Sequence, residues 1–116
     1  MNRFDTAHQV TPCGRVAADA VAVFPVGDAV VLVVADGAGN SRAGREASAQ
    51  VLQAVRAATE QRSDLALAET WRDVLVACDR ELARSGHGGE TTAIVACVTE
   101  HQVVGASVGD SELWLL

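Results

Sequence analysis

The chain contains no lysine and no tyrosine, and its 116 residues include only two tryptophans, two phenylalanines and two prolines. All nine basic residues are arginines, scattered singly against 15 acids for a net charge of −6. Without a basic cluster there is no surface to track a phosphate backbone, so nucleic acid is excluded as a partner. With so few aromatics, alanine and valine must fill the core, and helices can approach a sheet closely. The three cysteines (Cys13, Cys78, Cys97) are odd in number and widely spaced, with no CxxC and no zinc-like pairing with His8, His87 or His101. Cys78 and Cys97 fall at apolar-patterned positions and read as buried free thiols, which fits a reducing cytoplasm. The longest apolar run, Ala29 to Ala35, is far too short to span a membrane, and Arg3 and Asp5 precede any apolar stretch, so neither a membrane anchor nor a signal peptide is expected.

Almost half the residues are apolar, which suffices for one core and one domain at most. Residues 1–13 read as an N-terminal arm. Asp19 to Phe24 and Asp28 to Ala35 read as strands joined by a turn around Pro25 and Gly27. The second is so uniformly apolar that cover on both faces is expected. Asp36 to Ala43 is a loop, and Ser41 stands where it can cap the next helix. That helix carries Ala47, Val51, Val55 and Ala58 at helical spacing, and Gly44, Ala47 and Ser48 keep its start thin. A second helix is expected from an N-cap at Ser63, with Leu67, Trp71, Val74, Cys78 and Leu82 as its stripe and Gly86 as its stop. Three strands follow: Thr91 to Val98, Gln102 to Val108 and Glu112 to Leu116. The order ββααβββ predicts an α+β fold in which helices cover one face of an antiparallel sheet. The apolar Trp114, Leu115 and Leu116 predict a sticky last strand, covered by self-association or by another chain.

The strand Val30 to Ala35 runs straight into Asp36-Gly37. Hard divalent ions prefer oxygen ligands, and a carboxylate beside a glycine carbonyl offers two of them. Alone, Asp-Gly is an ordinary turn; its place between a buried strand and a helix favours a ligand site. Competing chemistries fare worse. The glycines at 37 and 39 lack a third at 42, where Arg42 stands, so the dinucleotide fingerprint is broken. GGETT (Gly88 to Thr92) has no P-loop lysine. There is no GxSxG elbow, and Ser111 in GDSEL has no histidine partner for a serine hydrolase.

Four segments in one order carry a resemblance: GRVAADA (Gly14 to Ala20), DGAGN (Asp36 to Asn40) followed by GREAS (Gly44 to Ser48), GGETTA (Gly88 to Ala93) and VGDS (Val108 to Ser111). Together they resemble the first half of the PP2C (PPM) family of metal-dependent protein serine/threonine phosphatases. The resemblance implies a partial PP2C-like domain over residues 1–116, two stacked antiparallel sheets flanked by helices, and hydrolysis of phosphoserine and phosphothreonine in signalling phosphoproteins by metal-activated water. It implies Mn²⁺ or Mg²⁺ as cofactor, with Asp36 bridging two ions, the Gly37 carbonyl on one of them, Asp19 as the acid of the first motif and Asp110 at a third position. Arg15 is the candidate phosphate binder in that first motif, or else a solvated surface arginine. The family's two further metal-binding aspartates have no counterpart, since no acid follows Glu112, so the two-metal site is incomplete in this chain. A non-catalytic, phosphatase-like module completed by a partner chain is the alternative.

Overall fold

The computed structural model describes residues 4–10, 18–38, 42–86 and 89–115. Its elements are β1 (Asp19–Val26), β2 (Ala29–Gly37), α1 (Arg42–Gln61), α2 (Ala68–Ser85), β3 (Thr91–Val98) and β4 (Val103–Val108). The four strands form one antiparallel sheet in the order β1-β2-β3-β4. Both helices lie on one face of it, as the α+β pattern predicts.

The β1–β2 connection is tighter than expected. β1 runs on through Pro25, which pairs with Val30, and the turn is the two residues Gly27 and Asp28. Proline is tolerated there because β1 is an edge strand and owes no N–H to a further neighbour. Gly27 has φ +58°, the left-handed conformation that two-residue hairpins demand.

Strand periodicity divides the residues between two faces. Val31, Val33 and Ala35 of β2 and Ala93, Val95 and Cys97 of β3 point to the helices and are almost fully buried. Val51, Val55 and Ala58 of α1 and Trp71, Leu75 and Cys78 of α2 complete this core. The thin start of α1 behaves as its sequence predicts, with Gly44, Ala47 and Ser48 all buried. The expected cap, Ser41, lies outside the described residues.

The second helix begins later than its sequence suggests. Ser63 is exposed, and the residue before α2 is Leu67, which makes no side-chain cap. The intervening turn is held from both sides. Arg62 grips Asp64 with two hydrogen bonds of 2.9 and 2.8 Å, the Thr70 hydroxyl donates to the Asp64 carbonyl (2.7 Å), and the Trp71 indole N–H donates to the Leu65 carbonyl (2.8 Å). These bonds carry Leu65 into the core and leave Leu67 outside, so the buried stripe is Thr70, Trp71, Leu75 and Cys78. Val74 and Leu82 pack partly against it. Gly86 ends α2 at φ +71°, as predicted.

Two expectations are corrected on the other sheet face. β2 is not evenly covered there: Val30 is buried, Leu32 half-buried and Val34 exposed. No third strand forms over residues 112–115. Beyond Gly109 the chain leaves the β4 edge, and Leu113 and Leu115 line a shallow cavity together with Ile94, Ala96 and Val103 of the open face. The β4 edge is thus left without the predicted neighbour, and Trp114 remains largely exposed.

Cys78 and Cys97 are free and buried, and burial pushes both thiols above their ordinary range. Cys13 and His87 lie outside the described residues. Among the described residues no helix is long and apolar enough to cross a membrane.

Trp71 is wholly buried and also satisfies the Leu65 carbonyl. Trp71→Ala should cost about 3–5 kcal/mol, and Trp71→Phe, which keeps most of the volume but orphans that carbonyl, about 1–3 kcal/mol. Urea denaturation followed by circular dichroism measures both.

Candidate metal site at the end of strand β2

The same periodicity that sends Val31, Val33 and Ala35 inward sends Asp36 to the open face. The two-residue turn sets the β1–β2 register, and that register places Asp19 directly opposite Asp36. On the other side of β2, Thr92 of β3 stands opposite Asp36. Asp19, Asp36 and Thr92 therefore form one row across three strands, at the end of the sheet where α1 begins.

The backbone at this end is tightly tied. The Gly37 N–H donates to the Ala18 carbonyl (3.0 Å), and the Ala38 N–H donates to the Glu90 carbonyl (2.8 Å). Gly37 is buried, and a side chain on it would collide with the backbone of Gly44 and Ala18. Gly44 is likewise pressed against Ala38, and Gly89 against Ala43. Three glycines thus let β2, the start of α1 and the approach to β3 meet backbone to backbone.

Asp19 and Asp36 line one side of a cavity of about 320 Å³. Val21 and Val34 form its apolar floor, Gln9 and Val10 of the N-terminal segment reach its rim, and Ser111 and Glu112 close the far side. Asp36 and Asp19 are exposed to solvent. A hydrogen bond that the protonated Asp36 carboxyl donates to Asp19, followed by partial desolvation and by the Asp19 charge, holds the Asp36 carboxyl above its ordinary value. Two carboxylates placed face to face favour a shared proton or a cation between them. The described arginine ion pairs lie elsewhere: Arg42–Glu46 and Arg56–Glu60 along α1, Arg62–Asp64 between the helices, and Arg84–Glu81 on α2.

The residues expected from the sequence are only partly brought together. Asp19, Asp36 and Gly37 meet at the strand ends. Asp110 is exposed in the turn after β4 and is not among the described lining of the cavity. Arg15, with Gly14, Gly39, Asn40 and Gly88 of the motifs, lies outside the described residues. Among the described residues no three His, Cys, Asp or Glu side chains converge to hold a metal. What is present is an open pair of hard oxygen donors beside a glycine backbone, which suits an ion that keeps several waters.

Three residues beside the carboxylates enter the sequence analysis only as parts of motifs or strands: Ser111 and Glu112 line the cavity, and Thr92 stands next to it opposite Asp36. Thr92 is hidden in a strand pattern, Ser111 raises only the question of a nucleophile, and Glu112 looks like the start of a strand. The Thr92 and Ser111 hydroxyls lie 2.8 Å apart, joining β3 to the turn beyond β4.

No family model matches the chain. The chain is 33% identical over 98 residues to the serine/threonine phosphatase stp of Listeria monocytogenes, a match covering 74% of this chain and 38% of that protein, and equally similar to the stp of Listeria innocua. It therefore spans well under half the length of these curated relatives. Among solved structures, a bacterial serine phosphatase carrying a point substitution superposes with a TM-score of 0.69 at 29% identity, over 81% of this chain and 47% of that one. The S. agalactiae serine/threonine phosphatase has a TM-score of 0.69 at 20% identity, covering 88% of this chain and 46% of that one, and shows the shared fold.

The raised Asp36 carboxyl fixes a sign. A group whose folded value lies above its unfolded one favours the fold while protonated, and that benefit is lost as pH rises through the folded value. At neutral pH the pair therefore opposes folding, and Asp36→Asn removes the opposition. In metal-free buffer at pH 7 the variant should melt slightly higher than the parent, on the order of 1–3 °C, because solvent screens a pair this exposed. The gap should close as pH falls below the ordinary aspartate value. Calorimetric melts from pH 3 to 8 test this.

Proposed function

We infer that the chain is part of a PP2C-type serine/threonine phosphatase domain, as its likeness to the stp phosphatases over 74% of its length supports, and that it contributes the first metal-binding half of an enzyme hydrolysing phosphoserine and phosphothreonine. The observation that carries this reading is the Asp19–Asp36 pair, set face to face by strand register on the rim of an open cavity. The repulsion within that pair is what a divalent cation relieves. Asp36 and Asp19 would hold the ion by their carboxylates and Gly37 by its backbone carbonyl. When bound, Mn²⁺ or Mg²⁺ supplies Lewis-acid chemistry, lowering the pKa of water and neutralising phosphoryl oxygens.

The chain's own contribution is positional. The clamp on Gly37 and Ala38 fixes the strand end, so Asp36 needs little reorganisation to meet an ion. Gln9, Val10, Val21 and Val34 shape the cavity wall beside the carboxylates. Asp110 serves a further ion position and Arg15 the phosphate group, each by motif resemblance. A phosphoprotein is the substrate, and the cytoplasm is the compartment, a choice supported by the buried free thiols Cys78 and Cys97.

A second reading is a non-catalytic phosphatase-like module completed by another chain or by a second copy. The exposed apolar side chains favour it: Val34 on the open sheet face is 42% exposed, and Trp114 and Leu115 on the tail are 75% and 73% exposed. An apolar surface of this kind marks an interaction site.

Hydrolysis of p-nitrophenyl phosphate separates the two. In an intact protein that joins this half to the remainder of the domain, the phosphatase reading expects turnover that requires Mn²⁺, is abolished by EDTA, and falls about 10²-fold or more in Asp36→Asn, the scale of losing one group that stabilises developing charge. An Asp36→Asn variant as active as the parent would sink the mechanism, and a parent inert with Mn²⁺ would favour the module.

A further inference from the structure

We propose that Thr92 and Ser111 act as a pair of positioning residues, a hydroxyl latch that fixes the turn bearing Asp110 against the carboxylate row of Asp19 and Asp36. The proposal rests on the metal-site reading above and adds to it two residues that bear no charge.

Thr92 completes the row Asp19–Asp36–Thr92 across β1, β2 and β3. It is the member of that row nearest β4, and it is half-buried. The β3–β4 ladder ends at Ala93 and Val108, so the residue after β4, Gly109, comes abreast of Thr92. Gly109 has φ +90°, and a Cβ there would overlap the Thr92 side chain. The chain therefore turns tightly around Thr92, and only glycine permits it. Two residues on, the Ser111 hydroxyl meets the Thr92 hydroxyl at 2.8 Å. Asp110 sits between the two points of attachment, Gly109 packed on Thr92 and Ser111 bonded to it.

Beside the packing of Gly109 on Thr92, the Ser111–Thr92 bond is the side-chain hydrogen bond that ties residues 109–111 to the strand facing Asp36. Ser111 and Glu112 also line the cavity that Asp19 and Asp36 line. The latch thus sets where the far wall of the cavity stands relative to the carboxylates. One of the two hydroxyls donates to the other, and the donor left over is available to water or to an oxygen ligand in the cavity. Groups that orient ligands in this way commonly affect metal affinity about 10–100-fold.

Thr92→Val removes the hydroxyl and keeps the branched shape, Ser111→Ala removes the partner, and Thr92→Ser restores a hydroxyl. Two readouts apply to the whole chain: amide hydrogen exchange at 109–112 without metal, and Mn²⁺ affinity by electron paramagnetic resonance. Thr92→Val and Ser111→Ala should each speed exchange of the turn about tenfold, the cost of one hydrogen bond. Each should also weaken Mn²⁺ binding about tenfold, with Thr92→Ser close to the parent and the double variant no worse than either single one. Exchange at the parental rate in both variants overturns the latch. Faster exchange with unchanged Mn²⁺ affinity overturns the positioning role and leaves a structural contact. If Asp36→Asn loses Mn²⁺ while Thr92→Val retains it, the latch alone fails. If the parent itself shows no saturable Mn²⁺ binding, the metal reading fails and takes the latch with it.

Discussion

The structure depends on the end of β2, where four pieces of backbone meet with no room for side chains. Gly37 hydrogen-bonds to Ala18 ahead of β1, Ala38 to Glu90 ahead of β3, and Gly44 in the first turn of α1 lies against Ala38. The contact fixes three things together. It sets how closely α1 approaches the sheet, and hence whether Val51 and Val55 can pack on Val33 and Ala35 without a gap. It stops the strand at Asp36. It also holds the neighbouring strand ends level, so that Asp19, Asp36 and Thr92 stand in one row. A chain that relies on alanine and valine has few bulky residues with which to fill an error here, and the small residues at this junction make close approach the alternative to bulk.

The row of polar groups and the apolar core are two consequences of one register. With Val31, Val33 and Ala35 packed under the helices, period-two alternation leaves Asp36 on the open face. A slip of one residue would drive the carboxylate toward the core formed with Val51, Val55 and Trp71 and expel three buried side chains, so the core enforces the position of the site. The pair is nevertheless held against its own repulsion, since the Asp36 carboxyl is raised by Asp19 beside it. The energy that holds the pair together comes from packing on the opposite face. An unfavourable local arrangement maintained by a favourable distant one is the signature expected of a functional site.

Much of this was legible in the sequence because it is local. The apolar run before Asp36, the small residues opening α1, the helical spacing of Ala47, Val51, Val55 and Ala58 and the stop at Gly86 each follow from neighbouring residues. The facing of Asp19 and Asp36 was less visible because it hangs on one turn. Reading that turn around Pro25 leaves the pairing undefined, whereas the two-residue turn Gly27–Asp28 fixes Asp19 opposite Asp36 by counting back along both strands. The start of α2 was misplaced for a related reason: Ser63 has the chemistry of a cap, but the Arg62–Asp64 fork and the Trp71 indole hold that segment as a turn instead.

The residues around 109–115 show where sequence pattern stops being informative. Alternation in Glu112 to Leu116 predicts an extended chain, but it cannot tell an extended chain that pairs with an edge from one that lies across a face. Residues 112–115 do not pair with the edge, and Leu113 and Leu115 line a shallow cavity with Ile94 and Ala96 of the open face. That choice follows from the helices having covered only one side of the sheet, which leaves the other as the nearest apolar surface within reach of the tail. It brings Ser111 to Thr92 and Glu112 to the cavity rim, positions that no spacing in the chain encodes. The far wall of the candidate site is therefore a product of unsatisfied apolar surface: the same open face that calls for cover draws the tail over it, and the tail carries the hydroxyl and the carboxylate to the place where Asp19 and Asp36 already stand.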